Sequence, residues 1–145
     1  LSCLFDACGG LSETTYKILM GGPMMGNAQH TADVPVGKCT NAVLAFAREE
    51  ERTSPHPTCI RCGRCADVCP MHLQPVFLYQ YAQRDMLPEL EAGHVMDCIE
   101  CGACTYICPG RLHLVHAFRT AKQKINTARA AAKAAQQAKA DGKEG

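Results

Sequence analysis

Cysteine is the residue type in this sequence whose number and spacing indicate chemistry. Eleven of the 145 residues are cysteine, and eight of them fall into two copies of one spacing. In each copy two residues separate the first three cysteines, and the fourth follows after three more. The copies span residues 59–70 and 98–109, and each ends in proline. Because thiolates at such short spacing are metal ligands, the sequence predicts two metal centres. The eight predicted ligands are Cys59, Cys62, Cys65, Cys69, Cys98, Cys101, Cys104 and Cys108.

The crowding of the cysteines indicates the kind of metal centre. The spacing C-x₂-C-x₂-C-x₃-C-P is the one that bacterial two-cluster ferredoxins use for 4Fe–4S clusters. Glycine between the second and third cysteines, Gly63 and Gly102, lets the backbone come close to a cluster. Structural zinc sites usually present two separated ligand pairs and fit this pattern poorly, and a disulfide framework fits it less well still.

The predicted ligand assignment crosses between the two motifs. Three thiolates of one motif bind three corners of a cluster, while the fourth cysteine, one helical turn further on, reaches the other cluster. Loss of one cluster is then expected to loosen both halves, because ligation contributes to folding. The first cluster takes Cys59, Cys62, Cys65 and Cys108. The second cluster takes Cys98, Cys101, Cys104 and Cys69. The cysteines outside both motifs are interpreted as free thiols, namely Cys3, Cys8 and Cys39.

Charged residues beside the cysteines differ between the motifs. Arg61 and Arg64 lie in the first motif, whereas Asp97 and Glu100 flank the start of the second. Positive charge stabilises a reduced, more negative cluster. The sequence therefore predicts the higher reduction potential for the first cluster.

Composition restricts the compartment and the partners. The net charge of +1 gives no case for nucleic-acid binding, although residues 119–145 carry seven basic and two acidic side chains. Thiolate ligands need reducing surroundings, and no signal peptide is visible, so exposure to the cytosol is expected. The longest apolar stretches are far shorter than the roughly 20 residues that span a bilayer, so no direct membrane span is expected.

The predicted fold class is mainly α, a helical ferredoxin-like domain with two 4Fe–4S clusters preceded by a small β-containing segment. Residues 16–20 and 41–47 are strand candidates, and residues 21–26 are interpreted as a tight turn rather than a phosphate loop. A polar stretch with two prolines places a domain boundary near residue 52. The cluster domain is predicted over residues 53–118, and Gln74-Pro75 is expected to start a helix within it. A basic helical tail rich in alanine and lysine is predicted over residues 119–145, disordered at its end.

Several short segments of the sequence point together to one known family. They are ILMGGPMMG at 18–26, DVPV at 33–36, KCTN at 38–41, the first motif at 59–70, the second at 97–109 and LVHAFR at 114–119. In this order they resemble the C-terminal part of RnfC, a subunit of the Rnf complex, the membrane-bound ferredoxin:NAD oxidoreductase. The double cysteine motif alone is shared with many ferredoxins, so the Gly-Gly-Pro-Met-Met-Gly and Thr-Asn segments make the resemblance sharper. Cys39 and His113 depart from the family's usual residues.

The resemblance implies that residues 1–52 are the remnant of a preceding β-rich domain, and the start at Leu1 is interpreted as that of a fragment. FMN and NADH are expected only in the N-terminal part of the intact subunit. Electrons would pass through the two clusters between that flavin and other subunits or electron-carrier proteins, in a complex that couples the redox step to Na⁺ or H⁺ translocation. The chain alone is expected to hold no catalytic residue. The implied location is peripheral, on the cytoplasmic face of the bacterial inner membrane.

Other functions remain open at this point. One alternative is a similar cobalamin reductase of a bacterial microcompartment. Another is the iron–sulfur subunit of a dehydrogenase such as glycolate oxidase or heterodisulfide reductase, although those usually carry further Cys-Cys-Gly repeats. A binding module with purely structural clusters is a different class, in which the basic tail would contact nucleic acid. Its lysines lack interleaved aromatic residues, which disfavours that interpretation.

Overall fold

In a computed structural model, the protein consists of two compact units, Leu1–His56 and Pro57–Gly145. The structure describes residues 1–48 and 57–141, with side chains up to residue 137. The boundary predicted near residue 52 and the final residues of the predicted tail, 142–145, lie outside the described residues. None of the described helices is both long and apolar enough to cross a membrane.

A three-stranded antiparallel sheet forms the centre of the first unit. Helix α1 (Ser2–Ala7) comes first, followed by strands β1 (Thr15–Met20), β2 (Asn27–Gln29) and β3 (Val43–Ala47). The strand order is β2-β1-β3, so β1 pairs with both neighbours. The apolar strands β1 and β3 were both expected from the sequence. The polar β2 was not, because it shows no hydrophobic alternation and is largely exposed.

Residues 21–26 join β1 to β2 and form the turn that the sequence predicts. The N–H of Gly26 donates to the carbonyl oxygen of Gly22 at 2.7 Å. A Cβ atom at Gly26 would lie 2.7 Å from that same oxygen, and one at Gly22 would meet nothing within 4 Å. The close approach of backbone to backbone therefore requires glycine at position 26.

The second unit is helical in its described part. Its helices are α2 (Arg64–Asp67), α3 (Pro75–Gln83), α4 (Leu87–Ala92), α5 (Ala103–Ile107) and α6 (Leu114–Asp141). Pro75 occupies the first turn of α3, a position where proline needs no N–H partner and where the sequence places a helix start. A 3₁₀ turn, Val95–Asp97, precedes the second cysteine motif.

The core of this unit lies between α3, α4 and the first turns of α6. Leu78 of α3, Leu90 of α4 and Phe118 of α6 are almost completely buried. Further along α6 the side chains of Ala121 and Ile125 are also buried, so the core extends into the segment predicted as the tail. Every side chain from residue 126 to residue 137 is exposed. The alanine-rich part of α6 is therefore helical without any contribution from the core.

Candidate metal centres

Four of the motif cysteines line one cavity in the second unit. Three come from the first motif and one, Cys108, comes from the second. The cavity has a volume of about 390 Å³, and apolar side chains such as Phe77, Leu112 and Leu114 form much of its remaining wall. The cysteines of this set, called the first site below, are Cys59, Cys62, Cys65 and Cys108.

The other four motif cysteines line a second, much tighter cavity. Three come from the second motif and one, Cys69, comes from the first. Its volume is about 20 Å³, and Leu78, Val115 and Phe118 close it from the core. The two cavities differ in size but share a lining of four thiols, and ligand type rather than cavity size selects the metal. The cysteines of this set, called the second site below, are Cys98, Cys101, Cys104 and Cys69.

Each motif folds as a loop followed by a short helix, and this arrangement separates its third and fourth cysteines. Helix α2 begins after Gly63 and α5 begins after Gly102, both of which have a left-handed backbone. The third cysteine lies in the helix, and the fourth lies at or just beyond its end. The fourth cysteine is thereby carried away from the cavity of its own motif to that of the other.

The two loops repeat the same unusual backbone conformations in equivalent positions. Left-handed residues turn neighbouring N–H groups towards one side, and such concavities bind anions, including iron–sulfur clusters. The N–H of Glu100 donates to Sγ of Cys98 and that of Leu73 donates to Sγ of Cys69, each at 3.4 Å. The equivalent left-handed pairs are Arg61 and Glu100, Gly63 and Gly102, and His72 and Arg111.

Burial opposes ionisation of several of these thiols. It raises the pKa of Cys104 to about 11, and the charge of Cys98 adds to the shift. Burial also raises the pKa of Cys65 and that of Cys98, although at Cys98 the Glu100 N–H and the charge of Lys122 act in the opposite direction. Thiols with a raised pKa are protonated at neutral pH, so a bound metal would have to supply the positive charge that makes these residues thiolates.

Two basic residues of α6 reach back to the second cysteine loop. Nε of Arg119 donates to Oε2 of Glu100 at 2.8 Å, and Nζ of Lys122 donates to Oε1 at 3.0 Å. Nζ of Lys122 also donates to the carbonyl oxygen of Cys98. Burial alone would raise the pKa of Glu100, but hydrogen bonds from Arg119 and Lys122 and their positive charges outweigh it and lower that pKa. Sequence reasoning missed this contact, because it assigned both basic residues to a basic helical tail outside the cluster domain.

Several other candidates lie away from the two cavities. The three remaining cysteines, Cys3, Cys8 and Cys39, are exposed in the first unit and line neither cavity. Among the described residues, no group of three or more His, Cys, Asp or Glu side chains is placed to hold one metal ion. A 4Fe–4S cluster needs a wider arrangement of ligands than one metal ion does, because each of its four thiolates binds a different iron atom.

Comparison with known proteins identifies the relatives of this chain. A family model described as a 4Fe–4S dicluster domain matches residues 54–109. The chain is 44% identical over 94 residues to the C subunit of the Na⁺-translocating ferredoxin:NAD⁺ oxidoreductase complex of Acetobacterium woodii, covering 65% of this chain and 21% of that protein. It is 43% identical over 138 residues to the C subunit of the ion-translocating oxidoreductase complex of Salmonella arizonae, covering 94% of this chain and 20% of that protein.

A third relative is named for a different ion. The C subunit of the proton-translocating ferredoxin:NAD⁺ oxidoreductase complex of Clostridium ljungdahlii is 43% identical over 84 residues, covering 58% of this chain and 18% of that protein. The chain therefore spans about a fifth of the length of these curated relatives. The resemblance to the C-terminal part of RnfC, predicted from the sequence, is confirmed. The chain is homologous to the C-terminal part of RnfC proteins, and residues 54–109 match a 4Fe–4S dicluster domain.

Proposed function

We propose that this chain is the electron-relay part of a larger subunit and that electrons pass through two 4Fe–4S clusters bound to it. The observation that carries the proposal is the sorting of eight motif cysteines into two cavities, four to each. A bound 4Fe–4S cluster supplies a redox couple whose potential depends on the protein around it. The chain itself supplies ligands, hydrogen bonds and control of solvent access.

The ligands of each cluster are those of one cavity. Cys59, Cys62, Cys65 and Cys108 hold the first cluster, and Cys98, Cys101, Cys104 and Cys69 hold the second. Support comes from the donor set, since the described lining of neither cavity contains an Asp, Glu or His side chain. Four thiolates without carboxylate or imidazole donors favour iron–sulfur clusters or zinc, and the C-x₂-C-x₂-C-x₃-C-P spacing favours the cluster.

The surroundings of the two sites suit different places in a relay. Cys59 and Cys62 are exposed, so an external electron carrier can come close to the first site. Cys104 is buried and the other three cysteines of the second site are partly buried, so this set is less exposed than that of the first site. The first site is therefore the point of exchange with a partner, and the second passes electrons within the protein.

In the intact protein this relay connects a flavin and NADH site with neighbouring subunits of a membrane-bound ferredoxin:NAD oxidoreductase. The support is the relationship to RnfC proteins of complexes whose names include both Na⁺ and proton translocation. Those relatives favour the ion-translocating complex over a cobalamin reductase or another dehydrogenase. The FMN and NADH sites belong to the part of the protein outside this chain, and its partners hold it at the cytoplasmic face of the membrane.

Electron paramagnetic resonance (EPR) on the full chain, purified without oxygen, tests the proposal. Stepwise reduction with dithionite is expected to give two reducible 4Fe–4S signals with magnetic coupling, and the iron content should match two four-iron clusters. Cys59→Ser is expected to abolish one of these signals. Cys39→Ser is its matched control, because Cys39 is exposed and lines neither cavity. Zinc in place of iron, or clusters that never accept an electron, would defeat the proposal.

A further inference from the structure

Lys122 is held in one place by two acceptors of the second cysteine loop. Its ammonium group donates to Oε1 of Glu100 at 3.0 Å and to the carbonyl oxygen of Cys98. Its side chain is 15% exposed, less than any other side chain in an ion pair of the described residues. A lysine so far withdrawn from water is stable only when it is paired, so these two contacts determine where its charge lies.

One of the two acceptors belongs to a residue that lines the second cavity. Cys98 is the first cysteine of the second motif, and its Sγ accepts a hydrogen bond from the N–H of Glu100. Lys122 therefore contacts the second loop at two linked points. It donates to the carbonyl oxygen of Cys98 and to the side chain of Glu100, whose backbone N–H donates to Sγ of Cys98.

The first cysteine loop is built differently at the matching position. Arg61 takes the place of Glu100 there, its side chain is exposed, and neither Arg61 nor Arg64 joins an ion pair within the described residues. At the second loop, Glu100 is matched by two positive charges from α6. The sequence-based expectation of a higher potential at the first cluster counted Glu100 without these partners, so the difference in charge between the two loops is smaller than that expectation assumed.

We propose that Lys122 is a positioning residue that raises the reduction potential of the cluster at the second site by holding positive charge against the backbone of Cys98. The inference rests on the proposed function, since it requires a cluster at that site. A cluster that accepts one electron gains one negative charge, so fixed positive charge nearby favours its reduced form. Exposed Arg61 and Arg64 at the first site act more weakly, because water and salt screen them.

Two substitutions that break the ion pair between Lys122 and Glu100 distinguish an effect of charge from structural support of the loop. Lys122→Met removes the positive charge and is expected to lower the midpoint potential of one of the two clusters. Glu100→Gln removes the negative charge and is expected to raise the midpoint of that same cluster. The expected change in the reduction equilibrium is on the order of tenfold in each case, or about 59 mV for a one-electron couple. A contact that only supports the loop would move both variants in the same direction.

The measurement is an EPR-monitored redox titration of the full chain with dithionite as the electron donor. Lys124→Met is the matched control, because Lys124 lies on the same helix but pairs with Asp85 and lines neither cysteine cavity. Lys122→Arg keeps the charge and is expected to keep most of the potential. Lys122→Gln keeps a donor for the Cys98 carbonyl without the charge, and serves if the methionine variant loses iron.

The outcomes separate the two proposals. Opposite shifts of one signal, with the other signal and the Lys124→Met protein unchanged, support the role of Lys122. Both clusters present with no shift in the Lys122 and Glu100 variants, or with shifts of equal sign, would overturn it while leaving the electron relay intact. Absence of reducible clusters from the unmodified chain would instead remove the proposed function and this inference with it.

Discussion

Arg61 and Glu100 occupy the same position in the two cysteine motifs, and both have a left-handed backbone, with φ of 56° and 57°. A non-glycine residue in this conformation costs about 1–2 kcal/mol. Its occurrence at the same place in both loops indicates that the loop geometry, rather than the side chain, requires it. At Glu100 the conformation accompanies an N–H that donates to a cysteine sulfur.

Glycine at these two positions is expected to have opposite effects on stability. Arg61→Gly relieves the left-handed backbone at an exposed residue, so the free energy of unfolding should rise by up to about 1 kcal/mol. Glu100→Gly relieves the same strain but leaves Arg119 and Lys122 without their carboxylate, so a net loss is expected. Anaerobic denaturant unfolding of the cluster-loaded proteins measures both. Equal effects at the two positions would show that the Glu100 ion pairs contribute nothing to stability.

Cysteine substitutions test the crossed ligand assignment. Cys59→Ser and Cys108→Ser come from different motifs but line one cavity, so both are expected to abolish the same EPR signal. Cys69→Ser, from the same motif as Cys59, is expected to abolish the other signal. In each case the surviving signal should weaken, because ligation of one cluster supports the fold around the other. If the Cys59 and Cys69 variants lost the same signal, each motif would bind its own cluster.

The place where α6 leaves the core can be located by neighbouring substitutions. Ile125 is 2% exposed, and Ile125→Ala is expected to lower the free energy of unfolding by about 2–5 kcal/mol, since it opens a cavity. Asn126 is exposed on the same helix, and Asn126→Ala should change stability by no more than about 0.5 kcal/mol. Thermal unfolding of the two variants provides the comparison. A small effect of Ile125→Ala would place the end of the core before that residue.

A glycine substitution in the turn between β1 and β2 is expected to affect the stability of the sheet in the first unit. Gly26→Ala would bring a methyl group to 2.7 Å from the Gly22 carbonyl oxygen, so the turn must open, at an expected cost of about 1–3 kcal/mol. Gly22→Ala meets nothing within 4 Å and is the matched control. Hydrogen exchange of the amides of residues 15–29 reports on this sheet directly. Faster exchange is expected for the Gly26 variant alone, and equal exchange in the two variants would contradict the close approach.

Short-range patterns determined much of this protein from the sequence alone. The spacing of the eight cysteines, with Gly63 and Gly102 inside the loops, predicts the type of metal centre because each motif is contained in twelve consecutive residues. Pro75 marked a helix start for the same local reason. The family resemblance also came from short segments and is confirmed by the relatives.

Tertiary structure alone decided which distant residues meet. Glu100 lies 19 and 22 residues before Arg119 and Lys122, and no period in the sequence links a cysteine loop to a basic helix. The burial of Ala121 was likewise not visible in the sequence, because later alanines of the same helix are exposed. Burial and ion pairing depend on the path of the whole chain, whereas spacing and turn chemistry depend only on neighbours along it.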